Sequence, residues 1–493
     1  SLYQRATNDV PGSYTLWNPR LGFNWDVTGD ATTQVRGGAG LFSGRTPFVW
    51  ISNAYGNTGL EYVRFTCDRT NTNNNDDPPP FTADPNNQPQ SCVNATTGNP
   101  TALSAAANEI NLVDPNFKAP QIARFSLGVD RQLPMGFVGT VEGLYTLTVH
   151  DVLYRNLRVQ PDSLGRLVEG RPRYQTRGST PGLGDVIDVT NTKKGYSYSL
   201  TGQLQRPYRA GWDFSLAYTF SHARDVNPVT SSQAISNWRF NLTRDDPNNP
   251  GLGRADFDIP HRVVAQFTRS LKFVRFGATD VSLVYIGQSG SPYSYRYNDD
   301  INFDGSFGND LLYVPATATD IRFEPFRLPG TLSSSDAGNS VSPAESWANL
   351  NNFIERVECL RENRGKVLYR NSCRTPWQNR FDLRLAQSIN PARGQGFQFT
   401  LDILNVANLL NSEWGLSQFV TNQADALLFL WQVPRGAPSS VTNLPDAQGH
   451  RVYRAFTPRQ DVFTRSNLDS RYQIQLGLRY NFGGRTPAPP ASR

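Results

Sequence analysis

Asp300-x-Asn302-x-Asp304-Gly305 is the grouping in this chain that most resembles a chemical site. Alternating oxygen side chains ahead of a glycine turn can wrap one hard cation such as calcium. An EF-hand loop needs glutamate at its twelfth position; Leu311 stands there, so Asp310 would contribute instead, oriented by Asn309. The competing reading is a polar turn whose Asp and Asn side chains accept from their own backbone. Cys67/Cys92 and Cys359/Cys373 form two local pairs, each inside a long polar stretch. With no C-x-x-C and no histidine pair nearby, they read as two loop disulfides of an oxidising compartment, with free thiols as the alternative. His150, His222, His261 and His450 are far apart in sequence and read as loop or strand-end residues. Gly37, Gly38, Gly40 and Gly44 miss the dinucleotide fingerprint because Ser43 takes its third slot, and Gly290 breaks the nucleophile-elbow order in Gly287–Ser291. No catalytic cluster emerges. The chain reads as a non-enzyme with no cofactor beyond a structural calcium.

The elements that would carry these residues are strands. Of 493 residues, 38% are hydrophobic and 12% aromatic, and 40 Gly and 34 Pro crowd the stretches between apolar segments, as turns and long loops require. The net charge of +6 is scattered, without a basic run or a basic-aromatic patch, so a nucleic-acid partner is not expected. No stretch approaches the roughly 20 apolar residues of a membrane helix. The longest apolar run, Ala426–Val433, holds Gln432. The chain opens at Ser1 in polar, turn-rich sequence, as a processed or cut product would.

Period two dominates the rest. In Arg471–Phe482 one face carries Tyr472, Ile474, Leu476, Leu478, Tyr480 and Phe482, and the other Arg471, Gln473, Gln475, Gly477, Arg479 and Asn481. Eleven such strands are expected, at 17–27, 32–42, 121–132, 137–147, 196–205, 212–221, 261–271, 277–287, 378–388, 397–407 and 471–482. They are about 10 to 12 residues long, the length a tilted strand needs to cross a bilayer. Short turns at 28–31, 133–136, 206–211, 272–276 and 389–396 alternate with long loops near 43–120, 148–195, 222–260, 288–377 and 408–470. Short connections on one side and long ones on the other describe an outer-membrane barrel with periplasmic turns and extracellular loops. The apolar face is then the lipid side. The lumen takes the charged face, with Arg124, Asp130, Glu142, Arg380, Asp382, Arg384, Asp402 and Arg479. Eleven is odd, and an open edge in lipid leaves backbone groups unsatisfied, so further strands are expected from the same or a second chain.

Particular segments resemble the C-terminal barrel of TonB-dependent receptors, and the Oar-like group among them: Asn18–Arg45, Pro115–Pro134, Asn298–Pro315, Pro376–Gln387 and Leu401–Gly415. Arg479–Phe482 (RYNF) resembles the closing strand of that family, whose final aromatic is read by the barrel-assembly machinery, so Tyr480 and Phe482 are the implied signal. The resemblance implies an all-β transmembrane antiparallel barrel of about 22 strands around an N-terminal plug, of which residues 1–482 supply the C-terminal half. Residues 483–493 would be a periplasmic tail. It also implies an upstream plug and N-terminal barrel half, energy coupling through TonB, and residence among the lipids of a Gram-negative outer membrane. The substrate does not follow from fold. Loop aromatics Trp50, Tyr55, Tyr293, Tyr295, Tyr297, Trp347 and Trp414 are candidates to touch it, with Trp414 also suited to a loop core or the outer girdle. The expected function is receptor-mediated import; the alternative is a barrel whose loops dock a partner without transport.

Overall fold

The computed structural model describes residues 3, 5–44, 48–58, 67, 76–77, 82–89, 91–94, 96–101, 108–167, 169–177, 183–272, 277–323, 341–392, 395–430, 451–457 and 463–482. His450 and the 483–493 tail lie outside them. Eleven strands run in an unbroken antiparallel meander. They are β1 (Arg20–Asp26), β2 (Thr33–Ser43), β3 (Gln121–Leu133) and β4 (Phe137–Asn156). Then come β5 (Tyr196–Arg209), β6 (Trp212–Asp225), β7 (His261–Leu271) and β8 (Gly277–Gln288). The last three are β9 (Gln378–Ala392), β10 (Gln395–Leu404) and β11 (Gln473–Phe482). Each pairs with its sequence neighbours, and β1 and β11 stand at the two ends of the order.

Register keeps one face apolar from strand to strand. Phe23, Gly37, Leu127, Gly143, Leu200, Phe220 and His261 are successive partners across β1 to β7. Phe267, Leu283, Leu383, Ile403 and Ile474 continue that face to β11. These side chains stand out of the protein: Leu21 is 81% exposed and Leu476 78%. A continuous exposed apolar band of this size marks a surface made for lipid. Gly37 lets the Phe23 ring lie flat on β2, since a Cβ there would come within 2.6 Å of Cε1 of that ring. The opposite face is polar: Arg36 bridges Asp130 at 2.9 Å and Glu142 at 2.5 Å across three strands. Arg380–Asp382 (2.9 Å) and Arg384–Asp402 (3.4 Å) sit on the same side, and Thr201 and Thr219 hydroxyls meet at 2.9 Å.

Several boundaries differ from those the sequence suggests. β4 runs on to Asn156 because its far end pairs with Leu183–Thr192, which in turn pairs in parallel with Asn108–Val113. β5 and β6 close on Ala210 (φ 53°) and Gly211 (φ 83°), so the expected six-residue turn shrinks to two residues with left-handed backbone. β10 stops at Leu404, and Val406–Leu410 turns into a short helix.

The largest departure concerns the long connections, which are folded rather than merely polar. One buried cluster joins Tyr293, Tyr295 and Tyr297 with Leu312, Val314, Leu350, Phe353, Ile354 and Leu427. A second joins Val152, Tyr154, Ile187 and Val189 with Ala234, Ile235 and Trp238. Cys67–Cys92 and Cys359–Cys373 are both disulfides, with Cα atoms 5.5 and 5.3 Å apart.

Candidate functional site

The strand Pro292–Tyr297 organises the loop layer. It pairs antiparallel with Cys373–Arg374 and in parallel with Ala424–Leu428, and buries all three tyrosines. Helix Pro343–Arg356 packs on it through Leu350, Phe353 and Ile354; Ser342 caps that helix by accepting from the Glu345 amide at 3.2 Å. The chain then leaves Tyr297 into the acidic loop.

That loop is wound around its own carboxylates. Asp300 accepts from the amides of Phe303 (2.6 Å), Asp304 (3.2 Å) and Gly305 (2.9 Å). Asn302 Oδ1 accepts from the Asp304 amide at 2.9 Å, and Asp304 Oδ1 from the Ser306 amide at 2.8 Å. Asn309 Nδ2 donates to Asp304 Oδ2 at 2.8 Å. Asp310 is fully buried; it accepts from the Ile301 amide at 2.8 Å and takes an ion pair from Arg171 at 3.1 Å. Burial, and then the charge of Asp310, pushes the Asp300 carboxyl up to about 6 and that of Asp304 up to about 7. Burial raises Asp310 too, against the pull of Arg171. The four residues singled out from spacing, Asp300, Asn302, Asp304 and Asp310, are thus brought together. Their oxygens serve the backbone, and among the described residues no group of three or more His, Cys, Asp or Glu is arranged to hold a metal ion.

What the loop holds in place is a wall of a cavity. Thr243 donates to the Asn309 carbonyl at 2.9 Å, the Leu311 amide donates to the Thr243 carbonyl at 3.2 Å, and Ser306 Oγ donates to the Arg239 carbonyl at 2.9 Å. Phe307 and Gly308 are thereby set against the segment holding Phe240 and Leu242. Gly308 has φ 76°, left-handed backbone that favours glycine, and a Cβ on it would fall 2.2 Å from Arg296 Nη1, so a side chain there would also displace that guanidinium. The cavity measures about 700 Å³ and is lined by Phe240, Phe257, Phe307 and Phe419 together with Arg296, Arg370, Asp256, Asn371, Asn422 and Gln423. Phe257 is 81% exposed, Phe307 67% and Phe240 66%.

The polar groups of the lining are held from behind. Asn371 Nδ2 donates to Asp256 Oδ1 at 2.7 Å, and Gln423 Nε2 to the Asp256 carbonyl at 2.9 Å. Arg370 pairs with Asp225. Burial raises the Asp256 carboxyl and lowers the Arg296 guanidinium. Exposed rings, side-chain amides and positioned charges form a binding lining. They suit a ligand with apolar bodies and hydrogen-bonding groups.

The sequence-level aromatic candidates are sorted by this geometry. Tyr293, Tyr295 and Tyr297 are core residues, and Trp347 packs against the same core. Trp50 and Tyr55 pack on the second cluster. Trp414 stands half exposed beside Trp377, Asn379 and Phe381, at the loop end of the apolar face. The four cavity phenylalanines were missed. Their one sequence signal is a lone Phe in a polar or glycine-rich stretch, as in Gly305–Asp310. His222 and His261, distant in sequence, stand on adjacent strands: the His222 ring is 5.6 Å from Tyr198, and His261 Nδ1 lies 2.8 Å from Tyr218 Oη. Tyr480 stacks on Phe397 at 4.7 Å and on Phe482 at 5.7 Å, on the apolar face of β11.

No curated protein matches the chain. The ferric enterobactin receptor of Pseudomonas aeruginosa aligns over 82% of this chain and 35% of its own, at 8% identity and a TM-score of 0.36. The outer membrane transporter YddB of Escherichia coli aligns over 79% and 37%, at 9% identity and 0.38. The siderophore receptor PirA of Acinetobacter baumannii aligns over 80% and 37%, at 10% identity and 0.35. The chain therefore spans little more than a third of those structures' length. A family model described as "Outer membrane beta barrel domain" matches residues 4–424, so this chain belongs to that family and resides in the outer membrane of a Gram-negative bacterium.

Proposed function

We propose that the protein is the C-terminal part of a TonB-dependent receptor of the Oar-like type, which captures a substrate in the Phe240–Phe257–Phe307–Phe419 cavity for import. The observation that carries this reading is the pairing of a lipid-faced, polar-lumened sheet with a folded loop layer that holds a lined cavity. The upstream plug and N-terminal barrel half, TonB coupling, and recognition of Tyr480 and Phe482 by the assembly machinery belong to the same proposal. The substrate would be amphipathic, since its site offers both aromatic rings and side-chain amides.

The test compares culture medium before and after growth of cells carrying the full-length protein or its Phe257→Ala/Phe307→Ala variant. A compound depleted by the wild type, spared by the variant, and spared again when the proton gradient is collapsed supports energised import through this cavity. Binding to the cell surface that ignores the gradient would replace import with partner docking through the loops. A structural calcium at Asp300, Asn302, Asp304 and Asp310 is a separate proposal. It rests on the spacing of the oxygens and on two buried carboxylates, Asp304 and Asp310, beside the half-buried Asp300, with Arg171 paired to Asp310, and it requires the loop to turn oxygens away from its amides.

A further inference from the structure

The rim of the apolar face beside the short turns carries a second kind of site. Arg131 lies two residues before the end of β3, Arg209 is the last residue of β5, and Arg269 lies two residues before the end of β7. All three side chains are on the lipid side. Arg131 shares its face with Val129 and Leu133, whereas Arg209, Trp212 and Arg269 are successive cross-strand partners. They are exposed, and among the described residues none of the three side chains makes a hydrogen bond or ion pair.

A fourth arginine explains how the platform is built. Arg206 is buried, with its guanidinium 3.6 Å from the centre of the Trp212 ring. Its Nη1 donates to the carbonyls of Arg209 and Trp212, both at 2.9 Å, and its Nε to that of Met135 at 3.3 Å. Arg206 is therefore occupied in fixing the indole and the turn, and leaves Arg209 and Arg269 free on either side. Phe137 and Phe214 pack edge-on just above, with Phe137 6.2 Å from Trp212. The nearby acids do not neutralise this rim. Asp130 is bound to Arg36 on the lumen face, Asp213 and Asp280 alternate to that face opposite Thr268 and Ser270, and Asp26 and Asp30, in the turn beside Arg131, accept from that turn's own amides and the Thr32 hydroxyl.

We propose that this rim binds the headgroup of an anionic phospholipid of the periplasmic leaflet. The phosphodiester would lie between Arg209 and Arg269 over Trp212, with Arg131 on the next hairpin. Guanidinium groups match phosphate oxygens in pairs, and a cation at the edge of hydrocarbon is drawn to anionic headgroups there. Aromatic rings just above the arginines take the first part of the acyl chains. A zwitterionic headgroup fits less well, because among the described residues the acids at this end of the strands of Arg209 and Arg269 and their neighbours, Asp213 and Asp280, face the lumen.

The test is native mass spectrometry of the full-length protein released from bilayers of equal parts phosphatidylethanolamine and phosphatidylglycerol. The wild type should retain phosphatidylglycerol several-fold over phosphatidylethanolamine. Arg131→Gln/Arg209→Gln/Arg269→Gln should abolish that preference, and the single Arg269→Gln, which leaves the Arg206–Trp212 platform intact, should weaken it. Arg384→Gln, on the lumen face, should leave it unchanged. Equal retention of both lipids by the wild type overturns the proposal, as does an equal loss in the lumen variant. Displacement of the lipid by inorganic phosphate would also overturn it, in favour of a soluble-phosphate site.

Discussion

Asp304 shows how a single buried carboxylate can make a folded loop sensitive to its surroundings. Its carboxyl is raised to about 7 by burial and by the charge of Asp310, while in the unfolded chain it titrates near the ordinary value. The folded loop therefore holds a proton more tightly than the unfolded one. Its contribution to stability is complete below the unfolded value and is lost as pH rises through the folded one. Asp300, raised to about 6, adds to the same trend. Melting of the loop layer is thus expected to fall between about pH 5 and about pH 8, by about 2–3 kcal/mol. Asp304→Asn, which keeps the shape and discards the charge, should melt at about pH 8 as the wild type does at about pH 5. A variant that follows the wild-type profile removes Asp304 as the titrating group. The same measurement decides the calcium proposal. Calcium that restores the wild type at about pH 8, with no effect on Asp304→Asn, assigns the charge to a cation, whereas no response leaves it with the proton. Because the loop sets Phe307 and Gly308, the pH trend should also appear in ligand capture.

The elements divide by how locally their faces are specified. Alternation along β5 separates Leu200, on the apolar face, from Thr201, whose hydroxyl meets Thr219 on the polar one. Leu200→Arg puts a cation into hydrocarbon and should cost about 2–4 kcal/mol of folding free energy in a bilayer, whereas Thr201→Arg should change it little. Equal costs, measured by urea unfolding in liposomes, would mean that the two faces are not what they are taken to be. Such strands were legible in the sequence because lipid is a uniform solvent, so each outward position answers the same question. The loop layer was not. Leu350, Phe353 and Ile354 are spaced as a helix, and Ser342-Pro343-x-Glu345 is a start signal ahead of them, yet they were read inside one polar loop. Their burial depends on Tyr295 and Leu427, which arrive from other connections. The acidic loop was half legible: spacing brought the right residues together, and Arg171, which decides the electrostatics of Asp310, came from 139 residues away. Ser342→Ala should lower the stability of the loop layer by about 1 kcal/mol, read as a lower melting temperature by circular dichroism in detergent. An unchanged value would mean that packing on the tyrosine strand alone sustains the helix.

At the scale of the whole molecule, the governing fact is that β1 and β11 each have one neighbour among the described residues. Both carry apolar side chains on the lipid side, Leu21, Phe23 and Trp25 on one and Ile474, Leu476 and Leu478 on the other. Their outer rows of N–H and C=O groups would face hydrocarbon, where each unpaired group costs several kcal/mol and water cannot help. A row of that length cannot be left open in hydrocarbon, and the first and last strands are not paired with each other. Each edge is therefore expected to be paired with a further strand in the intact outer-membrane protein. Alternate amides of an edge strand point away from its one neighbour, so pairing can be read residue by residue. Hydrogen exchange of the full-length protein in detergent should show every amide from Ile474 to Tyr480 protected, with no alternation along β11. Slow and fast amides in alternation would show an open edge and remove the barrel's second half from the account. Uniform protection that disappears when the upstream segment is clipped by protease would identify that segment as the partner, since only a strand docked on β11 can quiet both sets of amides.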